Sequence, residues 1–241
     1  MDVVDQDWYK NWFGNEYLTV YAHRDEAEAK KLIDLIHNHI NLPDKACILD
    51  LCCGQGRHAA VLAEAGYRVI GVDLSRTLLE TAKFTQNASF IQADMRYLPF
   101  RTSFDLLLNL FTSFGYFATD RENLAVFVQF ALVMKEKAKF VFDFFNAYHV
   151  NKNLIAHHQE QIGNLIIEQE RSIIKSRVQK KISLKRNGDI SVFYESVKMY
   201  YPHEIFSMLE QAGLAVYRVF GDYDGSNFEE DAPRLLIIGG N

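Results

Sequence analysis

Residues 46–73 read Ala-Cys-Ile-Leu-Asp-Leu-Cys-Cys-Gly-Gln-Gly-Arg-His-Ala-Ala-Val-Leu-Ala-Glu-Ala-Gly-Tyr-Arg-Val-Ile-Gly-Val-Asp. The apolar run Ala46–Leu51 suits a buried strand, Gly54 and Gly56 suit a tight loop, and Arg57–Ala65 carries a helical pattern that Gly66 stops. A second apolar strand over Tyr67–Val72 ends at Asp73. This is a βαβ unit, whose glycines let the backbone turn sharply and approach a ligand closely. The helix that follows offers free N–H groups to an anionic group. Asp73 lies nineteen positions after Gly54, where a carboxylate takes the hydroxyls of a ribose. The stretch predicts a nucleoside site and leaves open which nucleoside.

Outward from this unit, strands and helices keep alternating. Ser75 is placed to cap a helix with Leu78, Leu79 and Ala82, and Ser89–Ala93 reads as a third strand ending in Asp94-Met95. Phe104–Leu110 is a continuous apolar run for a strand buried on both faces, with Asn109 near its end. A helix capped by Asp120 runs to about Lys135, and Lys139–Phe144 makes a fifth strand. The pattern predicts an α/β fold with an open, mostly parallel sheet of Rossmann type. Ligands of such sheets bind beyond the carboxyl ends of the strands. Asp50, Asp73, Asp94, Asn109 and Asp143 all fall at such ends.

The flanks differ in texture. Residues 8–24 hold Trp8, Tyr9, Trp12, Phe13, Tyr17 and Tyr21, which suit either a strap on the core edge or a lid in which Tyr17, Tyr21 and Arg24 close on a ligand. Asp25, with Glu28 three positions on, reads as the cap of a helix carrying Leu32, Ile33, Ile36 and Ile40. From about Asn151, the segments 164–171, 172–184 and 189–201 alternate like strands, and Asn187-Gly188 is a two-residue hairpin signal. They predict a small antiparallel insertion. Pro202–Ala212 is a helix, and Leu214–Phe220 with Arg234–Ile238 forms a terminal antiparallel hairpin. We divide one domain, residues 1–241, into a cap (1–43), a cofactor-binding core (44–150), an antiparallel insertion or lid (151–201) and a segment completing the sheet (202–241).

Composition bounds the function. The 241 residues are 49% hydrophobic with a net charge of −5, enough for one sizeable core and against a globally electrostatic nucleic-acid binder. No apolar run reaches the ~18–20 residues of a membrane span, and Met1–Asp5 lacks the features of a signal peptide. Cys47, Cys52 and Cys53 read as reduced packing residues, with no metal site. The expectation is a cytoplasmic monomer or homodimer.

Gly54-Gln55-Gly56-Arg57-His58-Ala59 fits G-x-G-x-x-G/A, a pattern shared by several nucleoside cofactors. Asp50, four residues before Gly54, would repel a pyrophosphate but suits a cationic amino group. Asp94-Met95 suits an adenine, the carboxylate accepting from the amine and the thioether packing on the ring. With Gly71-Val72-Asp73-Leu74-Ser75 and Phe104-Asp105-Leu106 leading to Asn109, the sequence resembles the class I S-adenosylmethionine-dependent methyltransferases over Asp44–Ala147, and more loosely over 202–240. It departs from that pattern at Cys52 and Cys53, where the family usually has glycine. The insertion and the tail look like those of small-molecule members, near the glycine N-methyltransferase and ubiquinone C-methyltransferase types.

The resemblance implies S-adenosyl-L-methionine as cofactor, transfer to a small-molecule acceptor, and a set of roles. Gly54 and Gly56 would lie against the methionine portion, Asp50 near its ammonium, Asp73 on the ribose, and Leu74, Asp94 and Met95 around the adenine. The Asn109 backbone would meet the methionyl group, and Arg24 the cofactor carboxylate. Tyr17, Tyr21, Phe114, Tyr116, Tyr148 and Tyr223 are candidates for the acceptor side. Tyr116, Tyr148, His149, Tyr223 and Asp224 are candidate bases, none of them assigned. The competing readings are a non-catalytic cofactor-binding partner subunit and an NAD(P)-dependent oxidoreductase. Arg171–Arg186 holds seven basic residues and no acidic one, read either as a solvated strand face or as an electropositive lid for an anionic acceptor.

Overall fold

The computed structural model describes residues 4–22, 26–82 and 87–241. The chain begins with three helices, α1 (Trp8–Trp12), α2 (Asn15–Val20) and α3 (Glu26–His39). The alternating core follows as β1 (Cys47–Leu51), α4 (Arg57–Glu64), β2 (Arg68–Asp73), α5 (Arg76–Glu80), β3 (Ala88–Gln92), β4 (Phe104–Asn109), α6 (Asp120–Val133), β5 (Met134–Phe145) and α7 (Ala147–Asn153). Four strands come next, β6 (His157–Ile162), β7 (Leu165–Ile174), β8 (Arg177–Arg186) and β9 (Asp189–Lys198). Then α8 (Pro202–Gln211), β10 (Ala215–Phe220) and β11 (Arg234–Gly240) close the chain.

The main sheet has the order β10-β11-β5-β4-β1-β2-β3. Its neighbours from β5 to β3 pair in parallel, and β11 runs antiparallel to both β5 and β10. The order reverses between β1 and β4, so the crevice for a ligand opens at their carboxyl ends. Burial explains why β4 reads as one apolar run: Leu106, Leu107 and Leu108 are all inaccessible, alternating between an aromatic core and the core under α3 and α4.

The second sheet, in the order β6-β7-β8-β9, is wholly antiparallel. Leu165, Ile167, Ile182 and Leu184 on its inner face join the same core as Phe114 and Phe142. Asn187 (φ 53°) and Gly188 (φ 94°) make the expected primed hairpin turn. Arg177 fastens this sheet to the main body by donating to the carbonyls of Gly115, Tyr116 and Phe117 at 3.0–3.1 Å.

Several boundaries differ from the sequence reading. The cap of α6 is Thr119, in a reciprocal box with Glu122, and Asp120 is the first helical residue. The strand predicted at Lys139 starts at Met134, directly off that helix. The first insertion hairpin turns at Lys175 (φ 49°) and Ser176 (φ 59°), not near Arg171, and neither residue type signals a primed turn. β6 was not expected at all, because His-His-Gln-Glu-Gln-Ile is a polar edge strand with no apolar face to betray it. The predicted Asp25 cap lies outside the described residues.

Candidate functional site

A cavity of about 410 Å³ occupies the crevice above β1, β2 and β4. Its floor is the opening βαβ unit. Asp50 is 2% exposed in mid-sheet, faces the cavity, and has no partner for its Oδ2. Burial pushes its carboxyl up to about 7, with a hydrogen bond from the Ala59 N–H opposing the shift and Asp73 adding to it. Beside it His58, also buried and cavity-facing, is driven down to about 3 by burial and by Arg57, so it stands neutral with Nε2 unpartnered.

Asp73 ends β2 and holds two backbone groups: Gly54 N donates to Oδ2 at 2.9 Å and Ser75 N to Oδ1 at 2.8 Å. Burial raises its carboxyl and these bonds oppose the rise. Each oxygen keeps a lone pair. The loop between β1 and α4 takes left-handed backbone at Cys52 (φ 61°), Gly54 (φ 54°) and Gly56 (φ 70°). Glycine is free there, whereas Cys52 pays a steric cost of roughly 1–2 kcal/mol. A Cβ on Gly56 would stand 2.6 Å from the Phe90 ring, so this glycine serves packing and lies off the cavity wall. Leu74 and Met95 form an apolar slot beside Asp73.

Asp94 also lines the cavity, yet Arg96 already occupies most of it. The backbone N and Nε of Arg96 donate to Oδ1 at 2.8 and 3.1 Å, and Nη2 to Oδ2 at 2.7 Å. Nε also reaches Oδ2 at 3.2 Å, so each oxygen already accepts from two donors and little capacity is left for a ligand.

The wall after β4 is strained. Phe111 (φ 56°) and Thr112 (φ 63°) are both left-handed, a conformation that non-glycine residues hold only when their surroundings impose it. Asp143 imposes it. Its carboxylate accepts from Phe111 N at 2.8 Å, from the Tyr223 hydroxyl at 2.7 Å and from Arg234 Nη2 at 2.7 Å, while Arg234 also reaches Thr112 Oγ1 at 3.1 Å. Asn109 works from the other side. Fully buried, it donates to the Leu51 carbonyl at 3.4 Å and the Ser113 carbonyl at 3.2 Å, tying the β1 and β4 loops together.

The roof comes from the N-terminal helices and the second sheet. Trp8, Phe13 and Tyr116 form one aromatic cluster, with centroids 5.0–5.9 Å apart, and Tyr17 and Tyr21 continue it. Glu195 on β9 joins the two halves of the roof: it accepts from Trp12 Nε1 at 2.7 Å and the Tyr21 hydroxyl at 2.8 Å, and pairs with Lys180 at 2.7 Å. Burial opposes its charge, but Lys180 and these donors outweigh it and hold the carboxyl below its usual value.

The structure therefore sorts the sequence candidates. Asp50, Gly54, Asp73, Leu74, Asp94, Met95, Tyr17, Tyr21 and Tyr116 share one cavity. Gly56, Asn109, Phe114, Tyr148 and Tyr223 do not line it. Phe114 is inaccessible in the core, Tyr148 packs tilted against Tyr201 with centroids 4.8 Å apart, and Tyr223 is spent on Asp143. Arg24 lies outside the described residues. Among the candidate bases only Tyr116 reaches the cavity, and burial holds its hydroxyl well above its usual value. His149 instead bonds the Asp231 carbonyl, and Asp224 caps its own turn. Sequence reasoning missed Glu195, Lys180, Arg171 and Arg234. Only the β-sheet register brings these four to the cavity, though the basic stretch 171–186 was a signal for two of them.

Residues 48–137, the span from β1 to the start of β5, match the methyltransferase-domain family model. Residues 48–137 carry a methyltransferase domain. The methyltransferase is 26% identical over 209 residues to YqeM of Bacillus subtilis, a candidate methyltransferase, covering 82% of this chain and 85% of that one. It is 31% identical over 106 residues to the dTDP-3-amino-3,4,6-trideoxy-alpha-D-glucopyranose N,N-dimethyltransferase of Streptomyces venezuelae, covering 44% of each. The fold matches the sugar N-methyltransferase KedS8 of a Streptoalloteichus species with a TM-score of 0.72 at 22% identity, over 95% of this chain and 93% of that one. S-adenosylmethionine is the methyl donor of such a domain, and the residues present fit it. A buried carboxylate with an orphan oxygen faces the space an ammonium would fill, and an apolar slot adjoins a strand-end carboxylate with two free lone pairs. Among the described residues no helix is long and apolar enough to cross a membrane, and no cluster of potential metal ligands occurs.

Proposed function

We propose that this methyltransferase acts on an amine nitrogen of a small molecule held in the cavity. The observation that carries the reading is that the orphan Asp50 carboxylate and the aromatic roof face one cavity. The sugar N-methyltransferases among its relatives support nitrogen as the target. In this reading Asp50 takes the cofactor ammonium, Asp73 the two ribose hydroxyls, and the Gly54 backbone the methionine portion. Leu74 and Met95 sandwich the adenine beside Asp94, whose carboxylate is already engaged by Arg96.

The bound cofactor supplies an activated methyl group. The chain's own residues then align and dry the acceptor. Tyr17, Tyr21, Tyr116 and Trp8 exclude water, and aromatic faces favour a cationic sulfonium. Orientation of this kind is worth up to ~7–11 kcal/mol of a barrier. A desolvated amine shifts toward its neutral, nucleophilic form, so transfer needs no dedicated base. The division of labour follows the chain: 1–43 caps, 44–150 binds the cofactor, 151–201 roofs the acceptor, and 202–241 braces the loop after β4. We read the working unit as a monomer or homodimer that takes no nucleic acid.

Thermal shift with S-adenosylhomocysteine and with NADH separates the reaction classes, since a ligand at about 100 times its Kd adds about 2.7 kcal/mol. Stabilisation by NADH alone rejects methyl transfer. Labelled S-adenosylmethionine with a panel of small amines then tests turnover. Tight cofactor binding with no product across amines, phenols and carboxylates points to a non-catalytic subunit.

A further inference from the structure

The register of the second sheet sets three charged residues side by side: Arg171 on β7 faces Lys180 on β8, which faces Glu195 on β9. All three line the cavity. Their row crosses a surface that is otherwise apolar, with Val178 and Val197 two residues along on the same face. Lys180 and Glu195 neutralise each other at 2.7 Å. Arg171 is left over. Its guanidinium donates only to neutral oxygens, the Gln169 side chain and the Ile155 carbonyl, and no carboxylate of the described residues pairs with it. Among the other basic residues of the stretch, Lys181 pairs with Glu170, Lys185 with Glu168, and Arg177 is filled by backbone carbonyls, while Lys175 and Arg186 are exposed at the strand ends and line neither pocket.

Arg171 also lines a second pocket, of about 350 Å³, that meets the cavity at Val150, Leu154 and Arg171 itself. That pocket adds His149, Asn153 and His158 and contains no carboxylate. The nearby Asp231 is paired with Lys152 at 2.8 Å. A half-buried guanidinium with spare donors, at the junction of an acceptor cavity and a pocket lined by no carboxylate, is placed to take an anion. A planar fork of this kind takes phosphate or carboxylate oxygens two at a time. We propose that the acceptor carries an anionic group, a phosphate ester or a carboxylate, which the outer pocket binds through Arg171 while the nucleophile reaches inward to the cofactor. This inference rests on the methyl-transfer reading for its inner half only.

Calorimetric titration of inorganic pyrophosphate and of malonate into the full chain, with and without S-adenosylhomocysteine, tests it. At least one anion binds saturably, more weakly as salt rises, and the tighter of the two names the source. Arg171→Met weakens that binding by about tenfold or more, the order of one charge-assisted bidentate contact. Arg171→Lys restores part of it, and both variants keep wild-type affinity for S-adenosylhomocysteine. Should Arg171→Met fail to fold, Arg171→Gln replaces it. Absence of saturable binding by either anion, or equal binding by wild type and Arg171→Met, overturns the proposal. Failure of S-adenosylhomocysteine to bind wild type sinks the methyl-transfer reading instead, and the cofactor-free titration still decides Arg171.

Discussion

Asp50 and Asp73 are both acidic strand-end residues, and their surroundings give them different behaviour. Asp50 is buried with an orphan oxygen, and its rise from 3.8 to about 7 is worth on the order of 4 kcal/mol. The folded state then binds a proton that the unfolded chain has released, so stability falls as pH rises from about 4 to 7 and is level above. Asp50→Asn therefore stabilises the cofactor-free protein increasingly across that window, with no difference below it. Denaturant titrations at pH 4, 6 and 8 measure the trend, and a flat difference rejects the assignment. If an ammonium fills this site, cofactor affinity rises toward pH 7 and binding releases a proton, which calorimetry in two buffers detects. Asp73 meets backbone donors instead, so Asp73→Ala removes the proposed ribose contacts and frees the loop at Gly54. S-adenosylhomocysteine binding weakens by roughly 2–3 kcal/mol, and unchanged affinity would remove Asp73 from the ribose role.

Among the elements, the N-terminal helices were legible as aromatic but not as placed. Trp8, Tyr9, Trp12 and Tyr17 say only that α1 and α2 pack on something. Glu195, roughly 180 positions away, decides on what, through bonds to Trp12 and Tyr21. Glu195→Gln removes the charge opposite Lys180 while keeping the shape, and breaking such a pair costs about 3–5 kcal/mol when fully buried. Side-chain exposure of about 15% on both partners lowers that figure through solvent screening. Hydrogen exchange shows the loss at residues 8–20 before the β1–β5 sheet, and equal protection in variant and wild type would mean the roof is held by aromatic packing alone. The loop after β4 has a similar remote cause. Phe111 and Thr112 sit in a left-handed conformation because Asp143, Tyr223 and Arg234 converge on them. Tyr223 looked like an acceptor contact in the sequence and proves to be part of that brace.

At the scale of the molecule, two sheets share one aromatic core, so the chain should unfold in a single transition. One polar fastening between them is Arg177, which reaches three consecutive carbonyls of the loop 115–117 and the Ser196 carbonyl; Lys198 adds a backbone bond to the Gly115 carbonyl and an ion pair with Asp120. Arg177→Met strands those carbonyls away from water. We expect the melting curve to split, with the second sheet losing structure first while S-adenosylhomocysteine still protects the main sheet. A single sharp transition at a lower temperature would instead mean that apolar contacts and the Lys198 bonds couple the sheets without Arg177.

The sequence by itself determined the parallel sheet, its strand ends and the cofactor class, because each depends on local patterns: apolar runs four to eight residues long, a glycine loop, carboxylates at fixed offsets. Even its misplacements there, such as Asp120 for Thr119 or Lys139 for Met134, shift a boundary without moving a strand. Only the tertiary structure decided which polar residues face the cavity. Asp143 and Asn109 turn out to hold backbone, Tyr223 braces Asp143, and Arg96 claims most of Asp94. Arg171, Lys180 and Glu195, scattered over 25 positions, become one row. The physical reason is that a side chain's direction in a sheet is set by register with distant strands, and a polar atom's availability by which remote donors reach it first.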